Sequence, residues 1–144
     1  MTATTTETAA QTGWDIMREF LKASPFVGHL GIRVVSLEPD VAVLALPYSE
    51  PLITIGDTVH GGAISTLIDT AAMAASWCTE TPPANLRGTT VALSVSFTTA
   101  ARSVDLSAKA RVVRRGKNIC ACDVDVTDPN GELVAKGLVT YKLG

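Results

Sequence analysis

The sequence predicts an α+β fold in which a curved antiparallel sheet covers one long central helix. The segments run in the order helix, two strands, long helix, four strands, without the strand–helix alternation of a parallel sheet. The links between the last four strands are short, whereas parallel neighbours need long crossovers. The long helix is apolar or small nearly all the way round, so it needs cover on most of its sides.

The spacing of apolar residues predicts where the first helix, the first two strands and the central helix lie in the sequence. GWDIMREFLKAS (Gly13–Ser24) has apolar residues at helical intervals, and we expect this short helix to cover an edge of the core. GIRVVSLE and VAVLALPY read as two strands joined in a hairpin at Pro39-Asp40. A loop through Glu50–Thr58 then leads to the central helix, predicted from about Gly61 to Cys78.

The second half reads as four strands rich in Val, Ala and Thr. The loop TETPPANLRG precedes them, and its Pro82-Pro83 pair is incompatible with helix. The predicted strands are Thr89–Thr99, Val104–Val113, Ile119–Thr127 and Leu133–Lys142. Strong turn signals at RRGKN (Arg114–Asn118) and DPNG (Asp128–Gly131) separate the last three. We therefore predict a disordered tail over residues 1–12 and a single domain over residues 13–144.

The charge of the chain excludes some classes of function. A net charge of −2 over 144 residues gives no reason to expect nucleic-acid binding. No run approaches the length of a membrane span, and the start lacks the basic and apolar regions of a signal peptide. Residues 101–144 carry 8 Lys/Arg and 5 Asp/Glu. This excess suits an anionic ligand or a solvated strand face equally well.

The cysteines indicate reduced thiols in the cytoplasm. Their number is odd, three, and no export signal precedes Cys78, Cys120 and Cys122. Cys120 and Cys122 share one face of a strand, but two thiols at that spacing are too few for a metal site. We expect all three to be packing residues, and we expect no metal.

The candidate functional residues lie on the central helix. Asp69 is its single carboxylate, and burying such a charge without a partner is costly, so a functional role outweighs a structural one. His60-Gly61-Gly62 opens the helix, where the first amides lack partners and glycines allow a ligand to approach. With the helix dipole, these amides make a site for developing negative charge.

The distance between these two features predicts a dimer. Gly61 and Asp69 are eight residues apart, which is about 12 Å along a helix axis. They cannot both touch one carbonyl group. Two antiparallel copies of the helix would place Asp69 of one chain near Gly61 of the other, giving two shared sites.

The motif G-x-x-x-H-G-G, with Asp nine residues after the His, resembles the hot-dog-fold acyl-CoA thioesterases of the phenylacetic-acid-degradation (PaaI-like) type. The resemblance covers roughly residues 25–142 and extends to GTTVALSVSFTTAAR and VVRRGKNICACDVDVTDPNGELVAKG. It implies a hot-dog fold, a homodimer within a dimer of dimers, and hydrolysis of an acyl-CoA. No cofactor is needed beyond the coenzyme A of the substrate itself.

The resemblance also implies roles for individual residues. Asp69 would be general base or nucleophile, and the Gly61 amide would polarise the thioester oxygen. His60 would shape the turn, and Thr90 would help to place the water. Thr54 stands where many relatives have an Asn close to the thioester or the water. Coenzyme A would contact a further set: Gly62, Arg114, Arg115, Gly116, Lys117 and Asn118.

Two other functions stay open from the sequence. One is a hot-dog hydratase or dehydratase acting on acyl thioesters, which would need a histidine aimed at the substrate's Cα or Cβ. The other is an acyl-CoA binder without activity, against which the retained Asp69 argues. The acyl group is not specified, although Met73, Trp77 and Phe97 would suit an aromatic or medium-length chain if they line a pocket rather than the core.

Overall fold

The computed structural model describes residues 9–144, which fold into three α-helices and eight strands. The helices are α1 (Gly13–Ala23), α2 (Pro25–Leu30) and α3 (Gly61–Trp77). The first strands are β1 (Arg33–Glu38), β2 (Val41–Leu46), β3 (Ile53–Ile55) and β4 (Thr58–Val59). The later strands are β5 (Gly88–Phe97), β6 (Leu106–Arg115), β7 (Ile119–Thr127) and β8 (Leu133–Leu143).

Six strands form one antiparallel sheet in the order β1-β2-β6-β7-β8-β5, and β3 pairs with β4 separately. Helix α3 packs on the inner face of the large sheet, against β2, β6, β7 and β8. Alternate residues of these strands are buried beneath it, as Ala42, Leu44 and Leu46 of β2 are. The predicted α+β class, with a sheet around one central helix, is confirmed. Within the described residues, no helix is both long and apolar enough to span a membrane.

Several predicted boundaries are wrong. Helix α2 was not expected; it begins with Pro25 in its first turn and ends at Gly31, whose φ of 77° is in the left-handed region. The predicted loop Glu50–Thr58 contains a 3-10 turn and the short β3. Strand β6 runs on through Arg115, into the predicted turn. Helix α2, the 3-10 turn and β3 are too short to show a clear periodicity of their own.

The predicted tail, residues 1–12, falls mostly on residues 1–8, which lie outside the described part of the chain. Its last residue has a structural role instead. Thr12 is the N-cap of α1 and forms a capping box with Asp15, in which each side chain accepts a hydrogen bond from the other residue's backbone amide. The Gly13 amide then donates to the carbonyl of Thr79 at 2.9 Å, which fastens α1 to the end of α3.

Gly137 of β8 sets how closely α3 approaches the sheet. A Cβ built at this position would lie 2.4 Å from Cγ2 of Ile68 in α3. We expect Gly137→Ala to lower the free energy of unfolding by ~1–3 kcal/mol, as overpacking does. Gly28→Ala is the matched control, because a Cβ there meets nothing within 4 Å; it should raise stability slightly. Urea denaturation of both variants measures the difference, and equal stabilities would contradict the close approach.

Candidate active site

One face of α3 remains open in the single chain. The residues that are not fully buried recur every three or four positions: Gly61, Gly62, Ser65, Thr66, Asp69 and Met73. We call this set the open stripe. Asp69 is half-buried on it rather than enclosed by the core. An apolar helix therefore keeps one carboxylate because that carboxylate faces the side that the sheet does not cover.

The Asp69 carboxylate is held by a strand hydroxyl. Oγ1 of Thr90 in β5 donates to Oδ1 of Asp69 at 2.5 Å. Thr90 faces the helix because it pairs with Tyr141, an inward residue of β8. The register then shifts between Thr90 and Ala92, which is a β-bulge. This hydrogen bond brings together two of the residues that the resemblance names for the site.

Strand β5 is an edge of the sheet with an apolar wall beside the open stripe. After the bulge, Leu93, Val95 and Phe97 pair with inward residues of β8. Leu93 is nevertheless 41% exposed and Phe97 54% exposed. The stripe and these side chains form the two sides of a groove, and Asp69 lies between its ends.

The start of α3 presents an amide without an acceptor. His60 is the N-cap, and its Nδ1 accepts a hydrogen bond from the Gly62 amide at 2.7 Å. The Gly61 amide, first in the helix, finds no acceptor among residues 9–144. A Cβ at Gly61 would lie 3.1 Å from the Phe97 ring, so glycine lets the wall of β5 close against the helix start.

The predicted residues separate into two groups within one chain. Thr54, on β3, lines a cavity of about 370 Å³ together with Gly61 and Phe97. Asp69 and Thr90 lie about 12 Å further along the helix axis. The His60 and Gly62 side of the turn borders a different cavity, of about 240 Å³, against α2.

Three of the predicted coenzyme A residues in the turn between β6 and β7 form hydrogen bonds within the chain. Arg115 donates twice to Oδ1 of Asp40, at 2.7 and 2.9 Å, and once to the Ser76 carbonyl at the end of α3, at 3.0 Å. The Asn118 amide donates to the Leu143 carbonyl, and the Gly116 amide donates to the Ile119 carbonyl. All three therefore hold the fold together, whatever else they contact.

Arg114 and Lys117 differ from their neighbours in this turn. Both are exposed, and neither forms an ion pair within the described part of the chain. Lys117 also lines a cavity of about 310 Å³ with Thr79, Thr81 and Pro83. These two cations are the members of the predicted set that remain available to an anionic ligand.

The cysteines do not supply a nucleophile. All three are buried, as predicted, and burial raises the pKa of Cys78 to about 12. Burial also raises the pKa of Cys120 and of Cys122. A thiol with a pKa this high carries almost no thiolate at neutral pH. Asp69 remains the candidate for attack on a substrate.

The segment that contains the carboxylate, the helix amide and the apolar groove also matches a known protein family. The family model of the thioesterase superfamily matches residues 56–135, which is more than half of the chain. The chain belongs to the thioesterase superfamily. The matched range contains the helix start, Asp69 and Thr90.

Individual members of the thioesterase superfamily resemble the whole domain. Human acyl-coenzyme A thioesterase 13 is 29% identical over 133 residues, which cover 90% of this chain and 93% of that protein. The crystal structure of zebra fish thioesterase superfamily member 2 has a TM-score of 0.78 at 27% identity, and covers 94% of this chain and 100% of that one.

The E. coli PaaI protein, from the phenylacetic acid degradation operon, has a TM-score of 0.80 at 21% identity. The alignment covers 92% of this chain and 93% of that one, and it shows a shared fold. The hot-dog fold expected from the sequence is thus confirmed, as is the resemblance to the superfamily.

In this thioesterase-superfamily chain, the predicted acyl-pocket residues do not all meet. Met73 and Trp77 line one cavity with Tyr141, whereas Phe97 lies at the opposite end of the groove. Tyr141 was not predicted. Its hydroxyl accepts a hydrogen bond from Nε1 of Trp77 at 3.0 Å, across 64 positions of sequence. Only the strand register reveals this contact, since nothing local marks Tyr141.

We expect variants of the β6–β7 turn to differ in their effect on stability, because only some of its residues hold the fold together. Arg115→Met removes the hydrogen bonds to Asp40 and to the α3 carbonyl. Because the ion pair is partly exposed, the loss of stability should be ~1–2 kcal/mol. The Arg114→Gln/Lys117→Gln double variant should melt like the wild type. Differential scanning calorimetry tests this, and a double variant less stable than Arg115→Met would contradict this difference.

Proposed function

We propose that the chain hydrolyses an aryl- or medium-chain acyl-CoA to the free acid and coenzyme A. One observation carries the proposal: the Asp69 carboxylate, fixed by Thr90, lies on the open stripe of a helix whose first amide has no acceptor in the described chain. The charge thus lies beside apolar walls, where its interaction with a reacting carbonyl is strong. The relatives named as acyl-CoA thioesterases point to the same chemistry.

In this mechanism, Asp69 delivers the attack on the thioester carbon, either through a water molecule or directly. The Gly61 amide donates to the oxygen as it becomes negative, and the positive end of the α3 dipole adds to this stabilisation. Thr90 fixes the orientation of the carboxylate and helps to place the water. Collapse of the intermediate breaks the C–S bond, and coenzyme A leaves as a thiolate that takes up a proton.

The active form we propose is a homodimer, within a dimer of dimers. In a single chain Gly61 lies about 12 Å from Asp69 along the helix axis, so the amide must come from a second chain. The exposed apolar residues of β5 support an interface there, since Val91 is 59% exposed on an edge strand. Each dimer would then hold two sites, with Thr54 of the second chain beside the thioester.

Coenzyme A would contact the backbone at Gly62 and Gly116, and its phosphates would meet Arg114 and Lys117. Guanidinium and ammonium groups are the usual partners of phosphate oxygens. Because Arg115 already bonds to Asp40, its share in binding would be indirect, through the shape of the turn. The proposal involves no metal and no organic cofactor.

The geometry of His60 disfavours a hydratase. Its Nδ1 is occupied as an acceptor for the Gly62 amide, so the ring is fixed to the helix start. Within one chain, His60 borders the cavity next to α2. A ring held in this way is suited to shaping the helix start rather than to moving a proton at the substrate's Cα or Cβ.

The test is release of free thiol from a panel of aryl-acetyl, benzoyl and straight-chain acyl-CoAs. We expect steady turnover of at least one of them, with free acid and coenzyme A formed in equal amounts. A parallel assay offers an enoyl-CoA and a 3-hydroxyacyl-CoA, and their interconversion by gain or loss of water would instead indicate hydratase chemistry. Calorimetric binding of the acyl-CoAs without release of thiol would indicate a binding protein, and would overturn the proposed hydrolysis.

A further inference from the structure

The cavity beyond Asp69 has a composition that specifies an acyl group. It measures about 480 Å³, which falls in the range of small-molecule sites. Its floor is apolar and comes from α1 and α3. The residues that line it are Ile16, Met17, Phe20, Met73, Trp77, Leu86, Arg87, Gly88 and Tyr141.

This cavity lies beside the position of the proposed reaction, since two residues that line it are close in sequence to Asp69 and Thr90. Met73 follows Asp69 by one helical turn on the open stripe, about 6 Å along the axis. On the opposite side, Gly88 precedes Thr90 by two residues on β5. An acyl group whose carbonyl carbon lies at Asp69 therefore extends along α3 into the cavity.

Two hydrogen-bond donors face this apolar space, and none of the described residues that line it is a carboxylate. The Tyr141 hydroxyl accepts from Trp77, but its own proton has no acceptor in the described part of the chain. Burial raises the pKa of Tyr141, and the charge of Asp69 adds to this, so the hydroxyl stays protonated. A Cβ at Gly88 would lie 2.4 Å from the Tyr141 oxygen, so only glycine leaves this hydroxyl room.

Arg87 is the second donor and carries a charge. It is exposed at the rim, next to Leu86, which is 61% exposed, and Phe20, which is 49% exposed. Its guanidinium forms no ion pair with any carboxylate of residues 9–144. Apart from the Tyr141 hydroxyl, the cavity between Met73 and the rim is thus apolar, and it is cationic at its end.

Resting on the proposed thioesterase function, we infer that the cavity selects acyl groups that end in a carboxylate, so the substrate class is the monothioester of a dicarboxylic acid. The apolar floor takes the carbon chain, and the Arg87 guanidinium receives the distal carboxylate in its planar fork. A methyl-terminated chain of equal length fills the same floor but leaves that cation without a partner.

The experiment compares matched pairs of substrates: hexanedioyl-CoA with hexanoyl-CoA, and octanedioyl-CoA with octanoyl-CoA. For the wild type, we expect kcat/KM to be about tenfold higher for the carboxylated member of at least one pair, the preference of a charge-assisted contact at a partly exposed site. Arg87→Gln should reduce that ratio to near one. Arg33→Gln, which removes an exposed cation at the far edge of the sheet, should leave it unchanged.

Equal kcat/KM values within both pairs would overturn the inference, as would a preference that survives in Arg87→Gln. Calorimetry of the four thioesters binding to the Asp69→Asn variant distinguishes failure of this inference from failure of the proposed function. If the wild type hydrolyses none of them but the variant still binds the carboxylated members about tenfold more tightly, the cavity assignment holds and the hydrolase proposal falls. No binding preference would overturn the cavity assignment itself.

Discussion

Asp69→Asn is expected to lower kcat for the best acyl-CoA substrate by about 10²–10⁴-fold, the usual contribution of a general base. The amide has the same shape as the carboxylate, but it neither accepts a proton from water nor attacks the thioester. Thr90 can still donate to the remaining carbonyl oxygen of the Asn side chain, so the helix and strand keep their contact. Thiol release, measured at saturating substrate, gives the change in kcat directly.

The matched control is Asp125→Asn, which removes a carboxylate from the outer face of the sheet. Asp125 accepts a hydrogen bond from Lys136 at 2.7 Å, on the side away from α3. We expect this variant to retain kcat close to that of the wild type. Calorimetry should show that Asp69→Asn still binds acyl-CoA. If kcat of Asp69→Asn stays within a few-fold of the control, Asp69 is not the attacking group.

Gly61→Pro is expected to lower kcat by about 10²–10³-fold, the cost of removing one oxyanion donor. Proline deletes the amide hydrogen while adding its ring, and it is well tolerated at the first position of a helix. His60, with φ of −62° and ψ of 132°, already has the extended conformation that a residue before proline requires. KM should change little, because the donated hydrogen bond is made chiefly in the transition state.

Gly61→Ala separates loss of the amide from added bulk. It keeps the N–H but places a Cβ 3.1 Å from the Phe97 ring, so it should lose much less activity than the proline variant. Equal losses in the two variants would assign the effect to crowding.

Mixing the two inactive chains tests the shared site. A mixed dimer of Asp69→Asn and Gly61→Pro chains contains one site with both defects and one with neither, if each site draws on both chains. Unfolding and refolding the mixture should therefore restore turnover. Mixtures that stay inactive would mean that Gly61 and Asp69 of the same chain serve the same site.

The central helix and the antiparallel character of the sheet could be predicted because they follow from long periodic segments and short links. The strand order could not: the short link between β5 and β6 predicts that they are neighbours, whereas β5 pairs with β8 and β6 pairs with β2. Asp69 and Thr90 could each be named from the resemblance, but the hydrogen bond between them could not be predicted, since it depends on how β5 packs beside the helix. The six-residue α2 and the pair β3–β4 escaped prediction, because so few residues show no period and their form depends on what packs against them.

Long-range contacts mark the limit of the sequence analysis at the site. Arg115 is indistinguishable from Arg114 in the string RRGKN, yet it bonds to Asp40, 75 positions away. The same limit applies to Trp77 and Tyr141, whose contact depends on the register of β8. The exposure of Asp69 depends in turn on which helix face the sheet leaves uncovered, and an all-round apolar pattern does not reveal this.

The bulge in β5 makes the site sensitive to the length of the strand, not only to its residues. Because strand side chains alternate with a period of two, the extra residue near Val91 changes the phase between Thr90 and the apolar wall that begins at Leu93. Substitutions at Leu93, Val95 or Phe97 can alter the shape of the groove while the Thr90 hydroxyl still faces Asp69. Deleting a single residue there would turn either Thr90 or the apolar wall outward. The identity of the wall residues can therefore change, whereas the number of residues between Thr90 and the wall cannot.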